Sequence, residues 1–392
     1  MILVINCGST SIKYELFEDL ESVTEGEVGD IGGENAYVSQ RVGAETVTSE
    51  QPIADHREGM GVVLNCLTDS EHGLLDGTGV IEAVGHRVVH GGERTEPVLV
   101  DESVKRTIRK FASVAPLHNP VNLAGIEAMA DRLPETPQVA VFDTAFHQTM
   151  PPEAYLYGLP YRFYDDHDIR RYGFHGISHA YVAREACDIL DRPVGETNLI
   201  TCHLGGGCSV AAVAGGRSVD TSMGFSPLEG IVMATRSGDV DPTVVKHLYE
   251  ELDMDLERIF EILNDESGLA GLSGISGDMR ELLKARENGD ERADLAIRTF
   301  AYSVKQRIGA YAATLGEVDG IVFTAGIGEN ASLVRELAGN IELLDANVDP
   351  KRNTSLNGDA GIVSTDDSET AVLVVPTDEE RRIARKTAAL VK

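Results

Sequence analysis

Two stretches of the chain decide its fold, and the first is ILVINCGSTSIKYELF at 2–17. Residues 2–5 are continuously apolar, 6–11 are small and polar, and 12–17 roughly alternate, which is typical of a strand, a turn and a second strand. The second stretch, NLITCHLGGGCSVAAVA at 198–214, repeats this order with a triple glycine as the turn. The two stretches share few identical residues, so a chance likeness is one interpretation. A duplicated domain with a cleft between the copies is the other.

Strand and helix patterns alternate through the rest of the chain, and this order predicts an α/β fold. A proline-containing stretch at 150–175 indicates a domain boundary near residue 148. Asp241 and Pro242 form the start of one helix, and Ser178 is predicted to be the N-cap of another. The predicted helical or amphipathic segments are 57–68, 103–113, 121–132, 178–190, 243–252, 290–315, 330–338 and 378–391, and the predicted strands are 80–89, 138–143, 320–324 and 371–375.

Acidic residues dominate the composition. The 392 residues include 64 Asp and Glu against 34 Lys and Arg, which gives a formal net charge of -30. Nucleic acid and anionic membrane surfaces are disfavoured as partners, because both attract a basic protein face. The acidity fits an ordinary cytosolic protein or, as we favour, a halophilic one from a high-salt cytoplasm, where 1 M salt screens charges within about 3 Å.

Cysteine usage and hydropathy predict a cytoplasmic protein. The five cysteines are an odd number without a CxxC pair, which favours reduced thiols. The apolar residues 1–5 lack the basic region and the long apolar core of a signal peptide. No segment approaches the roughly 20 apolar residues of a membrane helix.

One predicted strand carries a basic residue beside a small apolar one. Arg87 and Val89 are two residues apart and therefore face the same way. A guanidinium next to a small apolar surface suits a carboxylate with a short alkyl tail, since Arg can hold a carboxylate or phosphate with two parallel hydrogen bonds. His86 and His90 face the other way and are interpreted as structural. Asp143 ends the next strand and could face a ligand site, although a turn or capping role is the better interpretation of it alone.

Several small-residue segments could bind phosphate. The turn at 6–13 combines a glycine, hydroxyls and Lys13, and 323–330 places glycines between a strand and a helix. A glycine-flanked loop carries Arg236, which with Arg87 would supply two cations for the equatorial oxygens of a phosphoryl group. The chain has no Walker A, protein-kinase or GxSxG motif. Phosphoryl transfer fits the sum of these features.

Two further segments have an ordinary interpretation and a functional one. Phe174 could line an apolar pocket and His175 could donate to a phosphoryl group, or they are a core residue and a surface residue. The acidic residues at 378–380 are normal helix-dipole partners at the start of a helix, and one of them could reach Mg²⁺.

Eight segments of the chain resemble acetate kinases in order and spacing. They are NCGSTSIKYELF (6–17), VGHRVVHGGE (84–93), APLHNP (115–120), VFDTAFHQTMP (141–151), RRYGFHGISH (170–179), DTSMGFSPLEGIVMATRSGDVDP (220–242), FTAGIGEN (323–330) and VVPTDEE (374–380). The resemblance implies the fold of actin and the sugar kinases: two duplicated domains of the ribonuclease H-like type with the active site in a cleft. It implies an N-terminal domain of 1–147 plus 381–392, a C-terminal domain of 148–380 with the nucleotide site, and a homodimer.

The resemblance also implies direct in-line transfer between ATP and acetate, giving ADP and acetyl phosphate, with Mg²⁺ as the metal and Mn²⁺ as a substitute. His118 resembles a further active-site histidine. The implied site residues are Arg87, Asp143, His175 and Arg236 for catalysis; Arg87, Val89, Leu117, Phe174 and Pro227 for the carboxylate substrate; Lys13, His203, Leu204, Gly205, Gly206, Gly207, Asp278, Met279, Arg280, Gly326, Ile327, Gly328, Glu329 and Asn330 for the nucleotide; and Asn6 and Glu379 for the metal.

Two departures from the family pattern leave alternatives open. Acetate kinases usually have Asn where this chain has Gly206, which removes a donor worth about 1 kcal/mol and resembles butyrate kinases instead. Cys7 stands where Ala is usual. One alternative is a propionate or butyrate kinase, for which the volume of Val89 would matter. Another uses pyrophosphate, and a third is a non-catalytic nucleotide-binding module, against which Arg87 and Arg236 argue.

Overall fold

The structure is a computed structural model that describes residues 1–69, 72–116, 118–356 and 358–392. Its strands are β1 (Ile2–Cys7), β2 (Ile12–Glu18), β3 (Glu21–Gly29), β4 (Tyr37–Val42), β5 (Glu45–Glu50), β6 (Ala83–Val88), β7 (Val98–Leu99), β8 (Gln138–Phe142), β9 (Asn198–Leu204), β10 (Cys208–Ala214), β11 (Arg217–Thr221), β12 (Gly320–Thr324), β13 (Gly361–Ile362) and β14 (Ala371–Val374).

Helices connect and cover these strands. They are α1 (His56–Thr68), α2 (Glu102–Lys110), α3 (Asn119–Arg132), α4 (Pro152–Tyr155), α5 (Arg162–His167), α6 (Gly176–Ile189), α7 (Pro242–Glu251), α8 (Leu256–Asp265), α9 (Gly268–Ser273), α10 (Met279–Glu287), α11 (Glu291–Leu315), α12 (Ala325–Asn330), α13 (Ser332–Gly339), α14 (Pro350–Ser355) and α15 (Glu379–Val391). Short 3-10 helices lie at Thr78–Val80, Phe111–Ser113, Ala145–Thr149, Val194–Glu196 and Glu342–Leu344.

The chain forms two compact units, the first of Met1–Ala145 with Asp378–Lys392 and the second of Phe146–Thr377. The sequence placed the divisions two and three residues later, at 147/148 and 380/381. No helix in the described parts of the chain is long and apolar enough to cross a lipid bilayer.

The first unit is an eight-stranded sheet in the order β5-β4-β3-β2-β1-β6-β8-β7. Val84 of β6 packs into a core cluster that includes residues of α1 and α3. The next residue, Gly85, has no side chain, and a Cβ there would collide with Thr387 of α15. Because successive strand residues face opposite sides, α15 covers the other face of the sheet from α1 and α3.

The second unit is a six-stranded sheet in the order β11-β10-β9-β12-β14-β13. The apolar face of α6, with Val182 and Ala186, packs on Leu199 of β9 and on Ala211 and Val213 of β10. The long helix α11 also packs along β9 and β10.

The predicted internal repeat is confirmed by the sheet topology. Five strands of the first unit, β3-β2-β1-β6-β8, are joined by two antiparallel and then two parallel pairings. Five strands of the second unit, β11-β10-β9-β12-β14, show the same order and directions. This is the ribonuclease H-like arrangement, so the α/β fold consists of two duplicated actin-like domains.

Local signals predicted some helix starts and failed at others. Asp241 caps α7 by accepting from the Thr243 amide at 2.8 Å, and Pro242 is its first residue, as predicted. Ser178 is not an N-cap, which corrects the prediction: α6 begins at Gly176, and the Ser178 hydroxyl bonds other side chains from inside the helix. The segment predicted as one helix at 330–338 belongs to two, α12 and α13.

Candidate active site

Three polar residues of the first unit come together because of strand order. β1, β6 and β8 are neighbours and parallel, so their carboxyl ends meet at one edge of the sheet. Asn6 lies near the end of β1, Arg87 near the end of β6, and Asp143 follows β8 directly. Glu379, the first residue of α15, reaches the same group. In an open α/β sheet this edge is where ligands bind.

Arg87 is the centre of this group. Its Nη2 and Nε donate to the two carboxylate oxygens of Asp143 at 2.6 and 3.2 Å, and its Nη1 donates to Asn6 Oδ1 at 3.2 Å. Burial alone would lower the pKa of Arg87, but the carboxylates of Asp143 and Glu379 outweigh it and raise that pKa above its usual range. Asp143 is 1% exposed. The guanidinium is therefore permanently charged and held in one orientation.

The carboxylates at the start of α15 suit a divalent cation. Burial raises the pKa of Glu379 to about 7, against the opposing effect of Arg87, and Asp143 and Glu380 raise it further. Glu380 accepts from Asn6 Nδ2 at 3.3 Å. Carboxylate oxygens of Glu15, Asp378 and Glu380 lie within 4.8 Å of one another. Mg²⁺ prefers such oxygen ligands, and a bound cation would relieve the crowding of negative charge. Of the two residues expected to hold the metal, Glu379 therefore fits it, whereas Asn6 Oδ1 already accepts from Arg87.

Backbone constraints place Phe174 and His175 of the second unit. Gly173 has φ +74°, and a Cβ there would collide with Thr221 and His147. Phe174 is 1% exposed and His175 takes up a left-handed conformation, φ +56°, as the residue preceding α6. A left-handed conformation costs energy in a non-glycine residue and persists only where the surroundings impose it, which is common at functional sites.

Arg236, His175 and the triple-glycine turn converge. A Cβ built on Gly207 would lie 3.3 Å from Arg236 Nη1 and 3.3 Å from His175 Nε2, so a side chain there would crowd both groups. Arg236 Nη1 donates to the Pro227 carbonyl oxygen at 3.3 Å. No carboxylate among the described residues forms an ion pair with its guanidinium within 4.0 Å. Burial lowers the pKa of Arg236 and outweighs the opposite effect of Asp265, which raises that pKa from a longer distance. Arg236 is thus a partly buried cation that no carboxylate of the described residues contacts directly.

Most of the segments predicted to bind the nucleotide line one cavity of about 600 Å³ in the second unit. It is bounded by glycines, by the start of α10 and by α12. Asp278 caps α10, and its hydrogen bonds from Arg280 hold the pKa of its carboxyl at about 2. The lining residues are Gly205, Gly206, Gly277, Asp278, Met279, Arg280, Leu283, Gly326, Ile327, Asn330 and Ala331.

The other predicted nucleotide residues lie elsewhere. Lys13 is in the first unit and lines a different cavity, of about 350 Å³. Leu204 and Gly328 are buried, and His203 Nδ1 shares a hydrogen bond of 2.8 Å with Ser178 Oγ. The Glu329 carboxylate accepts from the backbone amides of Ala325 and Thr377 at 2.7 and 3.1 Å, so it fixes the turn into α12.

The structure describes three of the four predicted pocket residues for the carboxylate substrate. Val89, 5% exposed, belongs to the first unit, whereas Phe174 and Pro227 belong to the second. The prediction for Leu117 falls outside the described residues. His86 and His90 are structural, as predicted: His86 Nε2 lies 2.7 Å from Gln138 Oε1, and His90 Nδ1 accepts from the Gly92 amide at 3.0 Å.

Sequence reasoning missed the residues that support the site. Asn122 of α3 is buried, accepts from the Val89 amide at 3.1 Å, and donates to the Cys7 carbonyl oxygen at 3.0 Å. Glu229 accepts from Arg171 at 2.6 Å and also from the Tyr157 hydroxyl, which fixes the loop that carries Pro227. A buried Asn on a helix is a signal that could have been used, since a buried amide requires partners.

Comparisons with known proteins match this chain to acetate kinases along nearly its whole length. The profile of the acetokinase family matches residues 1–385. The acetate kinase of Symbiobacterium thermophilum is 50% identical over 395 residues, covering 100% of this chain and 99% of that protein. The crystal structure of Porphyromonas gingivalis acetate kinase has a TM-score of 0.94 at 42% identity and covers 100% of this chain and 99% of its own. A propionate kinase from Francisella tularensis has a TM-score of 0.93 at 37% identity, with 99% of both chains covered.

Proposed function

Because the chain belongs to the acetokinase family, we propose that it is an acetate kinase, a phosphotransferase that converts ATP and acetate reversibly to ADP and acetyl phosphate. The observation that carries the proposal is Arg236, a partly buried guanidinium that makes no direct ion pair with a carboxylate among the described residues. Such a cation is suited to charge that appears only during the reaction, and phosphoryl transfer spreads charge over three oxygens.

The first unit would bind the carboxylate and the metal. Two of the donors of Arg87 are committed to Asp143 and a third to Asn6, so this arginine is held in place to bind acetate or the transferring phosphoryl group with its remaining N–H donors. Asn6 and Glu379 would hold Mg²⁺, for which Mn²⁺ is a proposed substitute. When bound, the ion shields the negative charge of the nucleotide phosphates.

The second unit would bind ATP and stabilise the transfer. The 600 Å³ cavity is large enough for a nucleoside, and its glycines let a phosphate approach the backbone closely. His175 would donate a hydrogen bond to the transferring group beside Arg236 and Gly207. Direct in-line transfer needs positioning and electrostatic stabilisation from these groups and no covalent intermediate on the protein.

Propionate is the second candidate substrate, supported by the structural match to a propionate kinase. Acetate and propionate differ by one methylene, which a hydrophobic pocket discriminates by only about 1–3 kcal/mol. We assign contacts with the alkyl group of the acid to Val89 of the first unit and to Phe174 and Pro227 of the second.

A homodimer is part of the proposal. No residue of α7 is buried within the single chain, although this helix carries Val244 and Tyr249. Leu256 and Phe260 of α8 are also about half exposed. A cluster of exposed apolar side chains on one protein usually marks an interaction surface. We assign this surface to a second copy of the chain in the cytoplasm; light scattering that gives the mass of a monomer at micromolar concentration would exclude it.

Trapping of the acyl phosphate tests the activity. Purified protein would be incubated with ATP, Mg²⁺ and acetate in low and in high KCl. Hydroxylamine would convert acetyl phosphate to acetohydroxamate, which is then measured as its coloured complex with Fe(III). Propionate and butyrate would be compared in parallel. The highest kcat/KM with acetate supports the proposal. A higher value with propionate or butyrate would reassign the substrate, and no product with any acid at either salt concentration would overturn phosphoryl transfer to carboxylates.

A further inference from the structure

Four polar side chains of the second unit form a continuous line of hydrogen bonds that ends at His175. Thr201 Oγ1 lies 2.7 Å from His179 Nδ1, His179 Nε2 lies 2.7 Å from Ser209 Oγ, and Ser209 Oγ lies 2.9 Å from His175 Nδ1. The hydroxyl of Ser209 therefore connects two imidazole rings. None of the roles assigned above involves Thr201, His179 or Ser209.

The fold places these residues side by side for simple geometric reasons. Ser209 of β10 is paired directly with His203 of β9, and Thr201 lies two residues before His203, so all three share one face of the sheet. His175 and His179 are four residues apart and lie on one side of α6, which packs on that face. The ring of His203 stacks on His175 with centroids 4.1 Å apart, which restricts the ring plane of His175.

Burial decides the charge of His179. Its side chain, like those of Thr201 and Ser209, is fully buried. Burial lowers the pKa of His179 well below its usual value, helped by the neighbouring His147 and His203. His179 is therefore neutral, with one ring nitrogen that donates and one that accepts. Because each hydroxyl carries a single proton, only two directions of hydrogen bonding are consistent with the line.

The hydrogen bonds available to the Thr201 hydroxyl select one of these two directions. If His179 Nδ1 donated to Thr201, the buried Thr201 hydroxyl proton would need another acceptor, and among the described residues its hydroxyl has no hydrogen-bond partner except His179. In the other direction, Thr201 donates to His179 Nδ1, His179 Nε2–H donates to Ser209, and Ser209 donates to His175 Nδ1. Every buried donor is then satisfied, as buried polar groups generally are.

From this we propose that Ser209, His179 and Thr201 are positioning residues that hold His175 as the neutral tautomer with its proton on Nε2. The nitrogen that bears the proton is the one nearest to Gly207, beside Arg236. His175 can then donate a hydrogen bond without carrying a full charge. The inference rests on the proposed function for its catalytic meaning, but the tautomer itself is a property of the protein alone.

The test is the protonation of the His175 ring, measured by two-dimensional ¹⁵N–¹H NMR of the full-length protein with ¹⁵N-labelled histidine near pH 7.5. The His175 signals would be assigned by their loss in a His175→Gln variant. We expect a protonated Nε2 and an unprotonated Nδ1 on His175 and His179. A proton on Nδ1 of His175 would overturn the proposal.

Variants separate positioning from simple loss of a buried hydroxyl. Ser209→Ala removes the link, so we expect both tautomers of His175 to appear and kcat to fall about tenfold, as expected for one lost hydrogen bond, with KM for ATP and acetate changed less. Ser209→Thr keeps the hydroxyl and should retain the single tautomer. Ser178→Ala is the matched control. Ser178 lies on α6, as His179 does, and its equally buried hydroxyl bonds His203 rather than His175, so this variant should leave the His175 tautomer unchanged.

The outcomes distinguish the two proposals. If the protein makes no acyl phosphate but His175 is protonated on Nε2 alone, the proposed function fails and the proposal that Ser209, His179 and Thr201 position His175 stands. If the protein is active and Ser209→Ala keeps the single tautomer of His175, the positioning proposal fails and the proposed function stands.

Discussion

Replacement of Asp143 by Asn tests the buried ion pair with Arg87 most directly. The substitution keeps the shape of the side chain and removes its charge. An amide has one oxygen and one nitrogen, so it can accept only one of the two hydrogen bonds that Arg87 now donates at 2.6 and 3.2 Å. Its nitrogen would face a second donor. Arg87 would then turn toward Glu379, whose Oε2 already lies 3.4 Å from Arg87 Nε.

The expected loss of unfolding free energy in Asp143→Asn follows from the burial of the ion pair. Removing one partner of a buried ion pair usually costs about 3–5 kcal/mol. The Arg87 side chain is 19% exposed and Glu379 offers a second carboxylate, so we expect the lower end, about 3 kcal/mol of unfolding free energy. If the same loss of orientation is felt in the transition state, kcat/KM falls roughly 100-fold, because each 1.36 kcal/mol is about a factor of ten.

Urea unfolding and the hydroxamate assay measure the two effects. Asp131→Asn is the matched control, since the Arg57–Asp131 pair has the same 2.6 Å distance but both side chains are more than half exposed. The control should change neither stability nor kcat/KM measurably, because exposed ion pairs contribute little. If Asp143→Asn were no less stable than Asp131→Asn, or kept full activity, the buried pair would not be what holds Arg87.

Three other predictions concern charge. Arg236→Gln should lower kcat by about 10²–10³-fold and destabilise the protein less than Asp143→Asn in urea unfolding, because no direct ion pair is broken; equal destabilisation would contradict this. The melting temperature should rise from 0.1 to 2 M KCl, since the net charge is -30 and salt screens self-repulsion; a flat series would reject the halophile hypothesis. Burial lowers the pKa of His86 to about 4 from 6.5, so the unfolded chain binds an extra proton between these values and stability falls as pH falls through them. The slope should be flatter in His86→Gln by up to about 1.4 kcal/mol per pH unit, and parallel slopes in urea unfolding at pH 4.5–6.5 would refute it.

Residues at strand ends could be predicted because the signal is local. Arg87 was found by the alternation of β6, and Asp143 by its position after an apolar strand. Their contact depends on β6 and β8 being parallel neighbours, which a run of apolar residues does not specify. The strands β4 and β5 were not predicted, because most of their residues are partly or fully exposed and polar and give little apolar alternation.

Side chains that act from inside a helix were harder to interpret. Ser178 looked like an N-cap, but the residue at the N-cap of α6 is His175, three residues earlier, in a left-handed conformation. No local pattern predicts a histidine in that conformation, since the packing around it imposes the strain. Asn122 and Ser209 were likewise missed, because their partners are distant in sequence and become visible only when the strands are aligned.

Arg87 of the first unit and Arg236 of the second differ in a way that the sequence does not reveal. Both are at least partly buried, but Arg87 has two carboxylates beside it that raise its pKa. Arg236 donates to a carbonyl oxygen instead, and burial lowers its pKa against the weaker, more distant effect of Asp265. A cation neutralised in the resting protein has little charge left for a ligand and serves mainly to orient it. A cation without such neutralisation gains most when negative charge develops next to it, which is the condition for stabilising a transition state more than a bound substrate. Orientation therefore belongs to Arg87 in the proposed mechanism, and the larger share of the rate belongs to Arg236.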